Sequence, residues 1–282
     1  MSQFLNLNGQ LIKDNAAEAY KSRAFLYGDG IFETIRIIDG KAVFLSRHFE
    51  RLSQSLQKLK IQNSFTFSTF KTEVEKCISV NEIKAGGRLR ITVYRRAGGF
   101  YLPENNQFSY LIEVSSLAKN TYHLNDNGLI VNICDEIELP QNSFSSIKSL
   151  NSLPYVMAAI YRKENHLDEV LLVNADGNIC EAGSSNIFLS AGNTLLTPSL
   201  EQGCIAGIMR NEILHIAKSA GMKVVEAAVK PSEMQIAQEV FLTNSIKGIQ
   251  WVSGFGKKRY FNTLSRKLLK ELQKRAQSEI ED

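Results

Sequence analysis

Cysteine is scarce and scattered. The four cysteines of this 282-residue chain, Cys77, Cys134, Cys180 and Cys204, form no C-x-x-C pair and have no histidine-rich spacing beside them. That pattern speaks against a disulfide framework and against a structural zinc site. Each cysteine is read instead as a small buried hydrophobe in a reducing compartment. Long apolar runs are missing too: no segment approaches the ~18 uninterrupted apolar residues of a membrane span. The start, Met1-Ser2-Gln3-Phe4-Leu5-Asn6, has no basic region leading into an apolar stretch. A cytoplasmic protein without signal peptide or membrane span is therefore expected. There is no strong excess of charge of either sign, the net value being only +4. Much of the basic excess lies in Lys257-Lys258-Arg259 and from Arg266 to Arg275, where Lys267 and Glu271 stand at i, i+4 and no aromatics are interleaved. This reads as a solvated helix face, not a nucleic-acid surface. Internal repeats and low-complexity tracts are absent as well, which excludes solenoids and disordered linkers.

What is present is a pattern of short strands and amphipathic helices. Phe4 to Asn8 alternates apolar and polar before the Gly9-Gln10 turn. Ile31 to Ile38 reads as a strand, Asp39-Gly40 as a hairpin turn, and Ala42 to Leu45 as the returning strand. Ser46 is expected to cap a helix to about Leu59, with Phe49, Leu52, Leu56 and Leu59 on one stripe. A second helix is predicted near 68–80, and strands over 88–95 and 108–115 with the glycine-rich loop Ala97 to Pro103 between them. The polar, turn-rich stretch 119–127 is taken as a linker. It divides an N-terminal α+β domain, 1–118, from a C-terminal α/β domain, 128–282. The second domain reads as strand 129–134, helix 154–165, strands 169–174, 179–181, 186–190 and 194–197, helix 207–221, strands 223–229 and 239–243, and a closing helix 264–278. Gly248-Ile249-Gln250-Trp251 is expected to be a turn.

Three features carry chemistry. Lys148 lies in the otherwise uncharged Ser146-Ile147-Lys148-Ser149-Leu150-Asn151, and Glu181 in Cys180-Glu181-Ala182-Gly183-Ser184-Ser185-Asn186-Ile187-Phe188, also uncharged around it. A glycine-bounded helix start, Gly203 to Arg210, follows. Taken singly, each has a plain reading: a surface lysine, a carboxylate capping a turn, a loop entering a helix. Together they are the parts needed to hold pyridoxal phosphate: an amine for the Schiff base, a carboxylate for the pyridine nitrogen, a helix N-terminus for the phosphate. Apolar surroundings would also make the Lys148 amine more nucleophilic. Arg51 offers a planar fork suited to phosphate, or a helix arginine paired with a nearby glutamate. Thr243 and Asn244 close a strand and offer further phosphate contacts, or a turn.

Five segments resemble one family in order and spacing. Tyr27-Gly28-Asp29-Gly30-Ile31-Phe32-Glu33-Thr34, His48-Phe49-Glu50-Arg51-Leu52, Lys148-Ser149-Leu150-Asn151, Glu181 to Phe188 and Gly207-Ile208-Met209-Arg210 are similar to the signature segments of class IV, fold-type IV pyridoxal phosphate enzymes. Those enzymes include branched-chain and D-amino acid aminotransferases and 4-amino-4-deoxychorismate lyase. The resemblance spans almost the full chain. It implies an α+β, two-domain D-amino acid aminotransferase-like fold, pyridoxal 5'-phosphate as cofactor, and a homodimer with each active site at the domain interface. It also implies roles. Lys148 would carry the cofactor and shuttle protons. Glu181 would face the pyridine nitrogen. Arg51, the amides of Ile208 and Met209, and Thr243 or Asn244 would hold the phosphate. Met209 stands where several aminotransferases of the family carry threonine.

The same resemblance frames the reaction. Expulsion of pyruvate from aminodeoxychorismate to give 4-aminobenzoate, for folate biosynthesis, is one reading. Transamination of a branched-chain or D-amino acid with a 2-oxo acid acceptor is the other. Thr34, where branched-chain enzymes would put glycine and D-amino acid enzymes a bulkier apolar residue, leans to the lyase, with a hydroxyl placed for proton traffic. Arg95-Arg96-Ala97-Gly98-Gly99-Phe100 lacks the Arg-x-His expected of a D-amino acid enzyme, and the segment after Lys148 lacks the Gly-Gly-Asn-Tyr of a branched-chain one. The substrate is expected to be a small amino-bearing carboxylate. Arg36, Arg95, Arg96 and Tyr101 are candidates to bind it by charge and position. No metal is expected.

Overall fold

A computed structural model of the chain describes residues 4–13 and 22–281; the first three residues of the start read above lie outside them. The chain divides into two compact units. The first comprises Met1–Thr121, Lys148–Asn151 and Ala276–Asp282; the second comprises Tyr122–Ile147 and Ser152–Arg275. The sequence reading assigned Lys148 to the C-terminal domain. In the structure its segment belongs to the first unit, because its backbone is hydrogen-bonded there.

The first unit is built on β1 (Phe4–Leu7), β2 (Gln10–Lys13), α1 (Arg23–Tyr27), β3 (Gly30–Ile38), β4 (Lys41–Ala42), α2 (Leu45–Lys58), α3 (Phe67–Val80), β5 (Gly87–Arg95) and β6 (Phe108–Ser116). Its strands form one antiparallel sheet in the order β2-β1-β6-β5-β3-β4. Along β5 the residues alternate strictly between buried and half-buried positions. Leu89, Ile91 and Val93 therefore point to one face with Ile35 and Ile37 of β3 and Ile112 and Val114 of β6, all buried. Helix α2 packs on β3, and α3 on β1 and β6. Each such Leu, Ile or Val contributes roughly 1.5–3 kcal/mol through burial. Phe32, Thr34, Arg88, Arg90 and Thr92 point to the opposite face.

Two local expectations are corrected here. The returning strand ends at Ala42, and α2 begins at Leu45 with Phe44 in the left-handed region at φ 56° and no side-chain cap, so Ser46 is not the cap. Val43, Phe44 and Leu45 are all buried, and burial of this tight link overrides the local cap signal. Helix α3 does start on a side-chain cap, with Thr66 and Thr69 bonding each other's backbone N–H groups. The short helix α1, which no local signal announced, is capped by Ser22, whose Oγ accepts from Ala24 N.

The second unit contains β7 (Leu129–Leu139), α4 (Leu153–Glu164), β8 (Glu169–Asn174), β9 (Ile179–Ala182), β10 (Asn186–Ala191), β11 (Thr194–Pro198), α5 (Ile208–Ser219), β12 (Lys223–Ala227), α6 (Glu233–Ile236), β13 (Glu239–Asn244), β14 (Gly248–Phe255), β15 (Lys258–Arg259) and most of α7 (Thr263–Glu281). The sheet order is β12-β11-β10-β13-β14-β7-β8-β9, with β15 beside β14. Parallel pairs β11·β12, β14·β7 and β7·β8 sit among antiparallel ones. The expected turn at Gly248 to Trp251 is instead the start of β14, an inner strand between β13 and β7. Gly248 has φ +71°, and a Cβ there would lie 2.7 Å from the Tyr122 ring, so this glycine admits the strand against an aromatic wall. Two apolar clusters form the core. One gathers Leu171, Ile187, Val240, Leu242 and Val252, the other Cys134, Val170, Leu172, Cys180 and Cys204. All four cysteines are buried and unbridged. Among the described residues no helix is long and apolar enough to cross a membrane.

Candidate active site

In the first unit the lysine segment is bound to the open edge of β3. Phe32 N donates to Lys148 O at 3.0 Å, and Leu150 N donates to Gly30 O at 3.0 Å. The two glycines of Tyr27-Gly28-Asp29-Gly30 make room for it. Gly28 closes α1 at φ +62°, and a Cβ there would lie 2.6 Å from Asn151 Oδ1; at Gly30 a Cβ would meet Val93 O at 2.5 Å and Leu150 Cδ1 at 2.9 Å. The strap is thus seated by backbone bonds and by absent side chains. Lys148 itself is half-buried, and its Nζ lies 4.4 Å from the centroid of the Phe32 ring. The guanidinium of Arg90 lies 3.9 Å from the same centroid. Thr34, half-buried, stands directly across the β3·β5 ladder from Arg90 on that face.

Beside this lies a buried polar cluster. Glu33 and His48 are almost wholly enclosed, with His48 Nδ1 2.7 Å from Glu33 Oε2. Arg51 closes its fork on the same carboxylate, Nε to Oε1 at 2.8 Å and Nη2 to Oε2. Burial alone would raise the Glu33 pKa, but the Arg51 charge and the His48 hydrogen bond outweigh it and hold it at about 2. His48 is pushed below the usual histidine range, first by burial and also by the charges of Arg51 and Lys148, so it is neutral at pH 7 and donates from Nδ1. Of the two readings of Arg51, the glutamate partner is present, and it is Glu33 on the neighbouring strand.

The substrate candidates scatter. Arg36 is buried and donates from Nη2 to the carbonyls of Lys119 and Thr121. Arg95 lies on the helix-covered face, where Nε donates to Asp29 at 2.9 Å, Nη2 to Leu59 O at 2.8 Å, and Nη1 to Lys60 O and Asn106 Oδ1. Through these bonds both arginines fasten chain segments. Arg96 is exposed and paired with Gln107 at 2.8 Å. Tyr101 is 92% exposed, its ring against that of Tyr27. Arg90, which the sequence reading passed over, is the arginine that shares the Phe32 ring with Lys148. Strand alternation put it opposite Leu89 and Ile91, but no local signal linked that face to a lysine 58 positions on.

In the second unit Glu181 sits on β9, 3% exposed. Tyr155 Oη donates to Oε1 at 2.7 Å, while Asn186 Nδ2 at 3.2 Å and Ile205 N at 3.1 Å donate to Oε2. Asn186 Nδ2 also reaches Ile205 O at 3.0 Å, and a Cβ on Gly207 would lie 1.9 Å from Asn186 Oδ1. The glycine before α5 is therefore required by a side chain that holds Glu181. Helix α5 begins at Ile208 with no side-chain cap, which leaves its first amides to an outside acceptor. Arg210, in the same segment, is buried and binds Pro198 O and Glu226, fastening the helix to its sheet.

Thr243 pairs with Asn186 across the β10·β13 ladder. Its Oγ1 is buried and has no hydrogen-bond partner among the described residues. A buried orphan hydroxyl costs about 1–3 kcal/mol, and a phosphate oxygen would satisfy it. Asn244 is different. Its Nδ2 binds Ser185 Oγ and Ser184 O, and its Oδ1 accepts from Ile246 N and Lys247 N, so this side chain builds the turn. The expectation that its side chain holds phosphate is corrected accordingly. An orphan hydroxyl and an uncapped helix start are the features a phosphate ester needs, and the second unit fits that group. Among the described residues no three His, Cys, Asp or Glu side chains gather to hold a metal ion.

The family model described as amino-transferase class IV matches residues 30–255. The aminodeoxychorismate lyase of Bacillus subtilis is 28% identical over 85% of this chain and 82% of its own length. The D-alanine aminotransferase of Bacillus licheniformis is 27% identical over 84% of this chain and 83% of its own. The crystal structure of 4-amino-4-deoxychorismate lyase from Pseudomonas aeruginosa superposes with a TM-score of 0.84 at 26% identity, covering 96% of this chain and 98% of that one.

Proposed function

The chain belongs to the amino-transferase class IV family, and from that premise we propose that it is a pyridoxal phosphate-dependent 4-amino-4-deoxychorismate lyase, releasing pyruvate and forming 4-aminobenzoate for folate synthesis. The observation that carries this reading is the sheet face that Lys148 shares with Phe32, Thr34 and Arg90. It supplies an amine, an aromatic floor, a hydroxyl and a fixed cation for a substrate that bears carboxylates. When bound, the cofactor supplies an electron sink for the bonding pair left when a substrate carbon loses its proton.

The residues of the chain do the rest. Lys148 would hold the cofactor through Nζ, and its amine would take the proton from the substrate carbon. Glu181 faces the ring nitrogen and keeps a proton there. Thr243 Oγ1 and the amides of Ile208 and Met209 donate to the phosphate, and Arg51, oriented by Glu33, donates beside them. Arg90 binds a substrate carboxylate. The electron pair left on the substrate carbon then breaks the neighbouring ring C–O bond, the step that separates elimination from transamination, and Thr34 relays a proton to the departing enolpyruvyl group so that it leaves as pyruvate. The Met209 side chain leaves the phosphate to amide donors alone at that position. A homodimer accompanies the reading, to be checked by light scattering on the purified protein.

The second reading is an aminotransferase acting on a D-amino or branched-chain amino acid, favoured by the similarity to the D-alanine enzyme. One assay separates them. Purified protein with pyridoxal phosphate is given aminodeoxychorismate and no keto acid, and in parallel L- and D-amino acids with 2-oxoglutarate. Pyruvate and 4-aminobenzoate appearing together support the lyase. Turnover of an amino acid that depends on the keto acid, with no 4-aminobenzoate, overturns it.

A further inference from the structure

We infer that Tyr155 is a positioning residue that sets how firmly Glu181 holds a proton on the cofactor's ring nitrogen. This rests on the proposed role of Glu181 and adds a residue to it. Tyr155 lies in the first turn of α4, seven residues past Lys148 and 26 before Glu181, outside every segment that first marked this chain. Its ring packs in the apolar cluster around Cys134, Val170 and Leu172, so the phenol is delivered to the carboxylate by a wedged side chain. At 2.7 Å its bond to Oε1 is shorter than the bonds from Asn186 and Ile205 to Oε2.

Two thiols also lie near Glu181. Cys180 and Cys204 are each pushed up to about 12, by burial first and then by the carboxylate, so both stay neutral at working pH. Tyr155 is driven the same way, by burial and then by Glu181, so its oxygen keeps its hydrogen and acts only as a donor. A donor aimed at one carboxylate oxygen stabilises the ionised form and fixes the direction of the other lone pairs. Removing it leaves Asn186 and Ile205 holding Oε2 while Oε1 loses its donor, so the carboxylate is fixed from one oxygen only and its plane can turn. Rotation weakens the contact to a ring N–H, and the ring nitrogen then loses its proton at lower pH.

The test follows that proton. Pyridoxal phosphate isotope-labelled at its ring nitrogen is bound to the parent protein and to Tyr155→Phe, and the nitrogen resonance is followed by NMR against pH. The phenylalanine variant should move the midpoint down by about half a unit to one unit, a threefold to tenfold loss of proton affinity. Site-specific 3-fluorotyrosine at 155, a stronger donor of the same shape, should shift the ring-nitrogen midpoint away from that of the phenylalanine variant and past the parent. A merely structural role would give no such opposite shift. Glu181→Gln is the control for the underlying reading. If it leaves the nitrogen signal unchanged, Glu181 does not face the ring and that reading fails. If Glu181→Gln moves the signal while both Tyr155 variants match the parent, only the present inference fails.

Discussion

Two buried carboxylates, one in each unit, are held in opposite ways. Glu33 is gripped by the Arg51 guanidinium and by His48. Glu181 takes its hydrogen bonds from a phenol, a side-chain amide and a backbone N–H. A guanidinium cancels a carboxylate's charge where it stands, whereas neutral donors orient that charge and leave it to act on something else. The sequence segments around the two glutamates looked equally significant. Their surroundings differ: one is held in an ion pair, the other by neutral donors.

The strongest way to test that division is to remove the chemistry and spare both clusters. Lys148→Ala should lower turnover by roughly a thousandfold or more and abolish the visible absorption that added pyridoxal phosphate gives with the parent. Full activity in this variant would sink the assignment.

Next comes the structural carboxylate. Glu33→Gln should cost about 3 kcal/mol in urea unfolding, since it strands Arg51 in a buried site. Glu181→Gln should stay within about 1 kcal/mol on the same scale while its turnover falls. Equal losses of stability would erase the contrast. The pH dependence carries a definite sign. The folded pKa of Glu33, about 2, lies below the ordinary 4.5, so its stabilisation is complete above pH 4.5 and fades as pH falls towards 2. The stability gap between parent and Glu33→Gln should narrow over that window and stay constant above it.

A smaller effect is expected at the orphan hydroxyl. Thr243→Val keeps the shape and removes Oγ1. Cofactor dissociation should rise by about tenfold, while the cofactor-free protein melts no lower than the parent, because a buried unpaired group is gone. Weakened folding with unchanged cofactor affinity would show that the hydroxyl has another partner. Smallest of all, Arg96→Ala should change stability by under about 0.5 kcal/mol and leave KM alone, its guanidinium being exposed and paired with Gln107. A large rise in KM would restore it as a substrate ligand.

What could be read without the structure follows from locality. Helices α2, α3, α5 and α7 and the strands β3, β5, β6 and β8 to β13 announce themselves by period and by turn residues, because both act over a few positions. Strand β14 did not, since glycine and glutamine near its start imitate a turn, and only its place between β13 and β7 makes it a strand. The lysine, the glutamate, the helix start and Thr243 stood out in the sequence by residue type and uncharged surroundings. Arg36 and Arg95 were not separable from Arg90, because all three are arginines on strands. Their roles depend on which face each strand presents and on which carbonyls lie behind it.

By itself, then, the sequence determined the family, the segments that hold Lys148 and Glu181, and most of the run of elements that carries them, since these are written in residue type and short spacing. Tertiary structure alone decided that the Lys148 strap is seated on β3 by glycines from a segment some 120 residues earlier. It also decided that Glu33 is neutralised where Glu181 is oriented, and that Tyr155 reaches a carboxylate 26 residues away. Such facts depend on which side chains meet across the fold, and spacing along a chain does not encode which groups will share a volume from which water has been removed.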